Sequence, residues 1–227
     1  MIKKMKLNTK KILEKNFLKA VTVVVLVCII FIGLYFLLDT SYKIIHLNHG
    51  VRSTVTVFIA FLLASFLYFG YVSFFFKLSH NEEVTIKELF SKPELYLTSI
   101  ILLTIKFFLQ LIGYILIIPG IIFGIMFSQS SYIILENPEI GVLGALKKSL
   151  IIMKGNWKEY FLFMISFLWY LLVIFVLLLA LFIASKFLLN DIVLTTLIYI
   201  LVSLIFVHMT TNIAIAKVIF YDELKNS

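Results

Sequence analysis

The chain has 227 residues, 62% of them hydrophobic and only 14% charged, with a mean hydropathy of +1.09 and a net charge of +8. A soluble domain carries charge on roughly a quarter of its residues, so this composition excludes an ordinary water-soluble fold and points to lipid as the solvent. The positive balance would suggest nucleic acid in a soluble protein; here the lysines are spread unevenly along a membrane-threading chain, and no nucleic-acid partner is expected.

Three prolines and nine glycines leave no room for a long flexible linker, so residues 1–227 are expected to form a single membrane domain. Residues 1–19, MIKKMKLNTKKILEKNFLK, hold seven lysines and one acid and read as a basic cytoplasmic amino-terminal segment. The uncharged stretch 20–38 follows, and about 20 apolar residues suffice to cross a hydrocarbon core. Residues 39–43, DTSYK, offer no small-x-small cleavage site, so this is a retained first span. Cys28 lies inside it and reads as a small hydrophobe; Val27 before it argues against a lipoprotein site.

The short loop 39–52 contains His46 and His49, but no cluster of further ligands accompanies them, and no metal is expected. The second span is 53–76, ending in Phe74, Phe75 and Phe76. The polar stretch 77–97 reads as a short surface helix whose Glu82, Glu83 and Glu88 form a solvated face.

The third span, 97–118, is unusual because Lys106, Gln110 and Gly113 share one helical face. A lysine at mid-span costs about 2.5–3.5 kcal/mol on insertion scales, and such residues face a bundle interior or a water-filled cavity. The alternative is snorkelling to the inner surface, about 13 Å away at 1.5 Å per residue. Pro119-Gly120 is expected to make a tight turn before the fourth span, 121–135. There Gly120, Gly124 and Ser128 recur every four residues, a stripe that would let a neighbouring helix approach closely. Ser128, Gln129, Ser130 and Ser131 then bring polar groups to about the depth of Lys106, either as packing glue or as a polar pocket.

Asn137-Pro138 is expected to cap the next helix, with Asn at the cap and Pro in the first turn, and Gly155 to end it. Lys147, Lys148 and Lys154 mark this as an amphipathic interfacial helix, lysines toward headgroups and Ile140, Leu143, Leu150 and Ile151 toward apolar surroundings. Gly141, Ala145 and Ser149 form a small-residue seam along it. The fifth span is 160–185, the loop 186–191 follows, and the sixth span is 192–218, carrying His208, Thr210, Thr211 and Asn212. His208 reads either as a proton relay or as a hydrogen-bonded packing residue.

With the amino terminus in the cytoplasm, the inner segments hold sixteen of the twenty Lys and Arg residues, the outer loops three, and Lys106 is intramembrane. That asymmetry follows the positive-inside rule. The expected fold is an all-α integral membrane bundle of six transmembrane helices, both ends cytoplasmic, with the interfacial helix between spans four and five. Spans pair as 1–2, 3–4 and 5–6, and the even-numbered ones end in similar aromatic-apolar runs, SFFFKL, SYIILEN and AKVIFYDEL.

Residues 137–169 carry an Asn-Pro turn, Lys148-Ser149, Met153-Lys154-Gly155, Phe161, Ser166-Phe167 and Trp169. Together with Pro119-Gly120 and Phe220-Tyr221, this pattern resembles a family of bacterial polytopic membrane proteins, the domain-of-unknown-function family nine-seven-five. The resemblance is concentrated in about thirty residues and departs at Gln129 and Ser130, where the family is more apolar. It implies an all-helical membrane bundle and no established chemistry. Related architectures form the membrane part of some glycerophosphodiester phosphodiesterases, whose soluble catalytic domain nothing in this chain resembles.

No HExxH, paired aspartates, Gly-x-Ser-x-Gly or phosphate-cradling glycine loop occurs in the sequence, so neither an enzyme nor a cofactor is expected. The functional expectation is a non-enzymatic accessory or interaction module of the cell membrane, in envelope homeostasis, export or self-protection. Its expected partners are a bilayer with anionic headgroups and a second membrane protein. The alternative is a small transporter or permease subunit whose cytoplasm-facing cavity is lined by Lys106, Gln110, Ser128, Gln129, His208 and Asn212.

Overall fold

The structure is a computed structural model that describes residues 2–45, 49–115, 118–187 and 192–225, leaving aside the side chains of 43–49, 112–119 and 181–195. His46, the side chain of His49 and residues 188–191 of the expected loop 186–191 lie outside the described residues, as do the surroundings of Gly113.

Among the described residues the chain is helical without a strand. In order come α1 (Ile2–Ile45), α2 (His49–Ser79), α3 (Tyr96–Ile115), α4 (Ile118–Met126), α5 (Ser130–Glu136), α6 (Gly141–Ile165), α7 (Leu168–Phe187) and α8 (Ile192–Lys225). Among the described residues, five stretches are long and apolar enough to cross a membrane: Lys3–Tyr42, Gly50–Ser79, Ile86–Leu111, Pro138–Ala180 and Thr196–Lys225. Gly120–Glu136 is apolar but shorter.

The core sits at one end of the bundle. Nearly all buried apolar side chains fall within residues 5–24, 67–102, 125–167 and 209–224. Toward the other end Ile29, Phe36, Leu172, Phe175 and Leu204 are all more than half exposed. Such an uninterrupted apolar exterior is compatible with lipid as the surrounding solvent and would be far too large for a soluble monomer. The hairpin pairs α1–α2, α3–α4 and α7–α8 are in contact, and α1 packs most extensively against α8.

The three similar runs at the ends of the even-numbered spans meet in space. Phe76 of α2 stacks near Tyr132 of α5 at 6.4 Å between ring centres, and Tyr132 stacks on Tyr221 of α8 at 5.3 Å. Around this ladder the polar residues of the run Tyr221–Lys225 are knitted to three other elements. Tyr221 donates to Glu136 at 2.8 Å and Lys225 pairs with the same carboxylate at 2.7 Å. Asp222 faces His80 at 3.4 Å, and Glu223 pairs with Lys4 at 3.1 Å.

The basic segment 1–19 is continuous with the first span. Met5, Thr9 and Leu13, four residues apart, are buried, while most of the lysines face out. The helix bends at Asn16 (φ −120°, ψ 20°), whose side-chain amide donates to Ile12 O at 3.2 Å; such local side-chain bonds compete with the helical ladder.

The predicted surface helix at 77–97 is instead a pair of 3-10 turns, Ile86–Phe90 and Pro93–Leu95, folded back along α2. Gly70 permits this: a Cβ there would lie 2.0 Å from Leu89 O. Leu89 is fully buried. Glu82 and Glu83 are solvated as expected, but Glu88 is not. Its carboxylate accepts from Ser73 at 2.5 Å, Lys77 at 3.0 Å and Ser91 at 2.8 Å.

The predicted fourth span is broken. Pro119 and Gly120 sit inside the first turn of α4 rather than in a tight turn, a position that suits a residue without an N–H. At 127–129 the helical ladder gives way to a turn. Ser128 and Ser130 hydroxyls donate to Ile125 O and Phe127 O, each at 2.8 Å, taking carbonyls that a continuous helix would use. Ser149 of α6, itself fully buried, donates to Met126 O at 2.7 Å and so satisfies a carbonyl orphaned at the end of α4. The glycine stripe does not admit a helix at Gly124, where an added Cβ would meet nothing within 4 Å.

The helix after Asn137-Pro138 also differs. Asn137 makes no side-chain cap bond; a 3-10 turn, Pro138–Ile140, leads into Gly141 at φ +65°. Gly155 does not end α6, which runs on to Ile165, and the interruption falls at Ser166-Phe167 inside the predicted fifth span. The inward face is Val142, Ala145, Leu146, Ser149 and Met153. Leu143, Leu150 and Ile151 do not segregate from the lysines: they share the exposed side with Lys147, Lys148 and Lys154.

Candidate functional site: a lysine-lined cavity

The breaks that shorten α4 and α5 leave a hollow of about 380 Å³ among α2, α3, α4, α5, α6 and α8. Helical spacing explains which side chains reach it. Tyr68, Tyr71, Val72 and Phe75 line it from α2, and Thr210, Ile213, Ala214 and Lys217 from α8, each set three or four residues apart. Lys106 and Gln110 enter from α3, Phe123 and Gly124 from α4, Ser131 and Tyr132 from α5.

The Lys106 side chain turns into this hollow. Its ammonium donates to Ser131 Oγ at 3.2 Å, and Ser131 shares a 2.5 Å hydrogen bond with the Tyr68 hydroxyl. Lys217 lines the same space and has no carboxylate partner among the described residues. No Asp or Glu is among the lining residues described, so the hollow carries two formal positive charges and no formal negative one. Gln110 and Gly124 are exposed and mark its rim. Phe107 and Leu111 on α3 and Ile121 on α4, each one to three residues from Gln110 or Gly124, are exposed, so apolar surface adjoins the mouth.

The six-residue set expected at a cavity divides into three. Lys106, Gln110 and Ser128 all line the hollow. Gln129 is fully buried just behind them: its amide donates to Ser128 Oγ at 3.0 Å, and its carbonyl oxygen meets no donor in the structure. His208 and Asn212 do not join. They face a separate crevice of about 590 Å³ between the first turns of α1 and the α6–α7 junction. There His208 lies between the rings of Phe17 at 6.4 Å and Tyr170 at 5.9 Å, a packing environment. Asn212 turns its amide back to His208 O at 2.8 Å.

Sequence reasoning missed Lys217, which it counted only among inner flanking charges, and the tyrosines Tyr68, Tyr71, Tyr132 and Tyr160. The signal for Lys217 was present in its spacing from Thr210 and Ala214, one face of one helix. The described residues include no cluster of three or more His, Cys, Asp or Glu suited to a metal ion. Hydroxyls, an amide and two ammonium groups in an aromatic-walled space can hold an anion and orient it. Comparisons with protein-family models, with curated proteins and with solved structures found no match to this chain.

Proposed function

We propose that the chain is a six-pass protein of the cell membrane, both ends cytoplasmic, acting as a non-enzymatic accessory or interaction module in envelope homeostasis, export or self-protection. In this reading α4–α5 is the short fourth pass. The first half of α6 rides at the cytoplasmic interface, with Lys147, Lys148 and Lys154 reaching anionic headgroups from stems laid along Leu143, Leu150 and Ile151. Support for a fourth pass comes from Glu136, whose bonds to Tyr221 and Lys225 put the end of α5 beside the end of α8. The resemblance to family nine-seven-five enters this proposal on the motifs of residues 137–169 alone.

The observation that carries the functional reading is the cavity. Its described lining offers hydroxyl, amide or ammonium groups from α2, α3, α5, α6 and α8, which suit holding a ligand or partner group.

The test is labelling with a membrane-impermeant maleimide in a Cys28→Ser background. Cysteines at Lys3, Glu82, Glu139 and Lys225 are expected to react only from the cytoplasmic face, and one at Val51 only from the outer face. Labelling of Glu139→Cys from outside would remove the fourth pass and sink the six-pass reading.

The second reading is a small transporter or permease subunit, favoured by the meeting of Lys106, Gln110 and Ser128. Purified protein in sealed liposomes that moved an anionic solute unaided would replace the accessory role with this one.

A further inference from the structure

We propose that the cavity binds the phosphate of an anionic lipid that enters laterally from the bilayer between α3 and α4. The inference rests on the reading of that cavity as the protein's working site and names the ligand it takes.

Charge comes first. Ionisable groups within a membrane domain are costly, and they pair with one another or mark a ligand or ion pathway. Lys106 and Lys217 share one hollow, and neither has a carboxylate partner among the described residues. Lys106 rests on a neutral hydroxyl, Ser131 Oγ, in a chain that continues to the Tyr68 hydroxyl. Hydroxyls can accept from an ammonium and donate to an oxyanion, so the same chain serves an incoming phosphate by turning its protons outward. Two ammonium groups with several hydroxyl donors match the charge and the acceptor-rich surface of a phosphate ester.

Shape gives the rest. A volume near 380 Å³ lies within the range of about 300–1,000 Å³ typical of small-molecule sites. The aromatic walls, Phe123 and Phe127 among them, suit the glycerol and first methylenes of a lipid better than a hydrated inorganic ion. Exposed apolar side chains, Phe107, Leu111 and Ile121, adjoin the mouth at Gln110 and Gly124, so a ligand with an acyl chain can leave that chain outside in the hydrocarbon. A cavity for a freely soluble anion would need no such apolar rim.

The experiment measures binding of tritiated lysophosphatidylglycerol to the full chain purified in a neutral maltoside detergent. Lysophosphatidylcholine and inorganic phosphate serve as competitors. Lys106→Gln and Lys217→Gln are each expected to weaken binding about ten-fold or more, the loss of one charge-assisted hydrogen bond. Lys217→Arg keeps the charge and retains binding, which separates lost recognition from lost folding. Lys87→Gln alters an exposed lysine of the 3-10 turn Ile86–Phe90, outside the cavity lining, and is expected to bind as the parent does.

Displacement by inorganic phosphate with the same dependence on both lysines supports a free phosphate as occupant; resistance to phosphate supports the lipid. A folded Lys106→Gln/Lys217→Gln protein that binds as tightly as the parent overturns the proposal. So does equal weakening by Lys87→Gln, or parent protein that binds neither probe. The maleimide pattern is read independently, so a failed topology and a failed ligand assignment give different results.

Discussion

Gly70→Ala is the sharpest test of how the polar segment is held. The added methyl would lie 2.0 Å from Leu89 O, 2.4 Å from its carbonyl carbon and 2.7 Å from its Cα. All three are backbone atoms, so no rotamer change relieves the clash, and the segment carrying Leu89 must lift away from α2. Leu89 is fully buried, and exposing a leucine costs about 1.5–3 kcal/mol. Glu88 would also move from Ser73 and Lys77, and residual strain adds to the cost. Replacing a helical glycine by alanine returns about 0.8–1.0 kcal/mol, which leaves a net loss of about 2–4 kcal/mol. The assay is thermal unfolding in detergent together with limited proteolysis of residues 80–95. Gly70→Ala should melt well below the parent and be cut there first. Gly124→Ala, with nothing within 4 Å of the new methyl, should show neither effect. Parent-like melting and protection of Gly70→Ala would refute the close-approach argument.

Three further outcomes are expected. Gly155 lies inside α6 with open space around it, so Gly155→Ala should raise stability by about 0.5–1 kcal/mol, whereas Gly141→Ala, at φ +65°, should lower it by about 1–2 kcal/mol; paired melting curves decide, and a loss at Gly155 would restore that glycine as a helix stop. Ser149→Ala should cost about 1–3 kcal/mol by leaving Met126 O unpaired in the interior, measured by the same melts, with an unchanged Tm contradicting the docking of α6 on α4. Tyr221→Phe removes one hydrogen bond to Glu136 but keeps the ring stack, so it should cost about 0.5–1.5 kcal/mol, while Tyr221→Ala should cost several-fold more.

What the sequence disclosed was the set of features that depend on one segment at a time. Apolar runs of sufficient length gave the helices 20–38, 53–76 and 192–218 close to where they lie, because a helix satisfies its own backbone. The register of Lys106 with Gln110 was likewise legible from period alone. The misses are tertiary. The break at 127–129 looked like an ordinary polar end of a span, since the donation from Ser149 that stabilises it comes from another helix. Gly155 resembled a stop because glycine often is one, yet its left-handed freedom is not used, and Gly141 uses it instead. His208 and Lys106 were grouped by depth, but depth does not fix azimuth, and they face different hollows. Glu88 looked solvated because its partners Ser73 and Lys77 belong to the helix before it.

The ladder of Phe76, Tyr132 and Tyr221 has a consequence for the order in which the protein can be made. Its last rung, with the bonds from Tyr221 and Lys225 to Glu136, closes loops of 85 and 89 residues. Until residues 221–225 are synthesised, Glu136 lacks both partners and Tyr132 lacks one ring face, although the helices before α8 are already made. Contacts so distant in the chain form late, so the nascent protein passes through a stage with this end of the bundle open and unlatched. Synthesis of 221–225 supplies the partners that close this end of the bundle, so these few residues act as its latch.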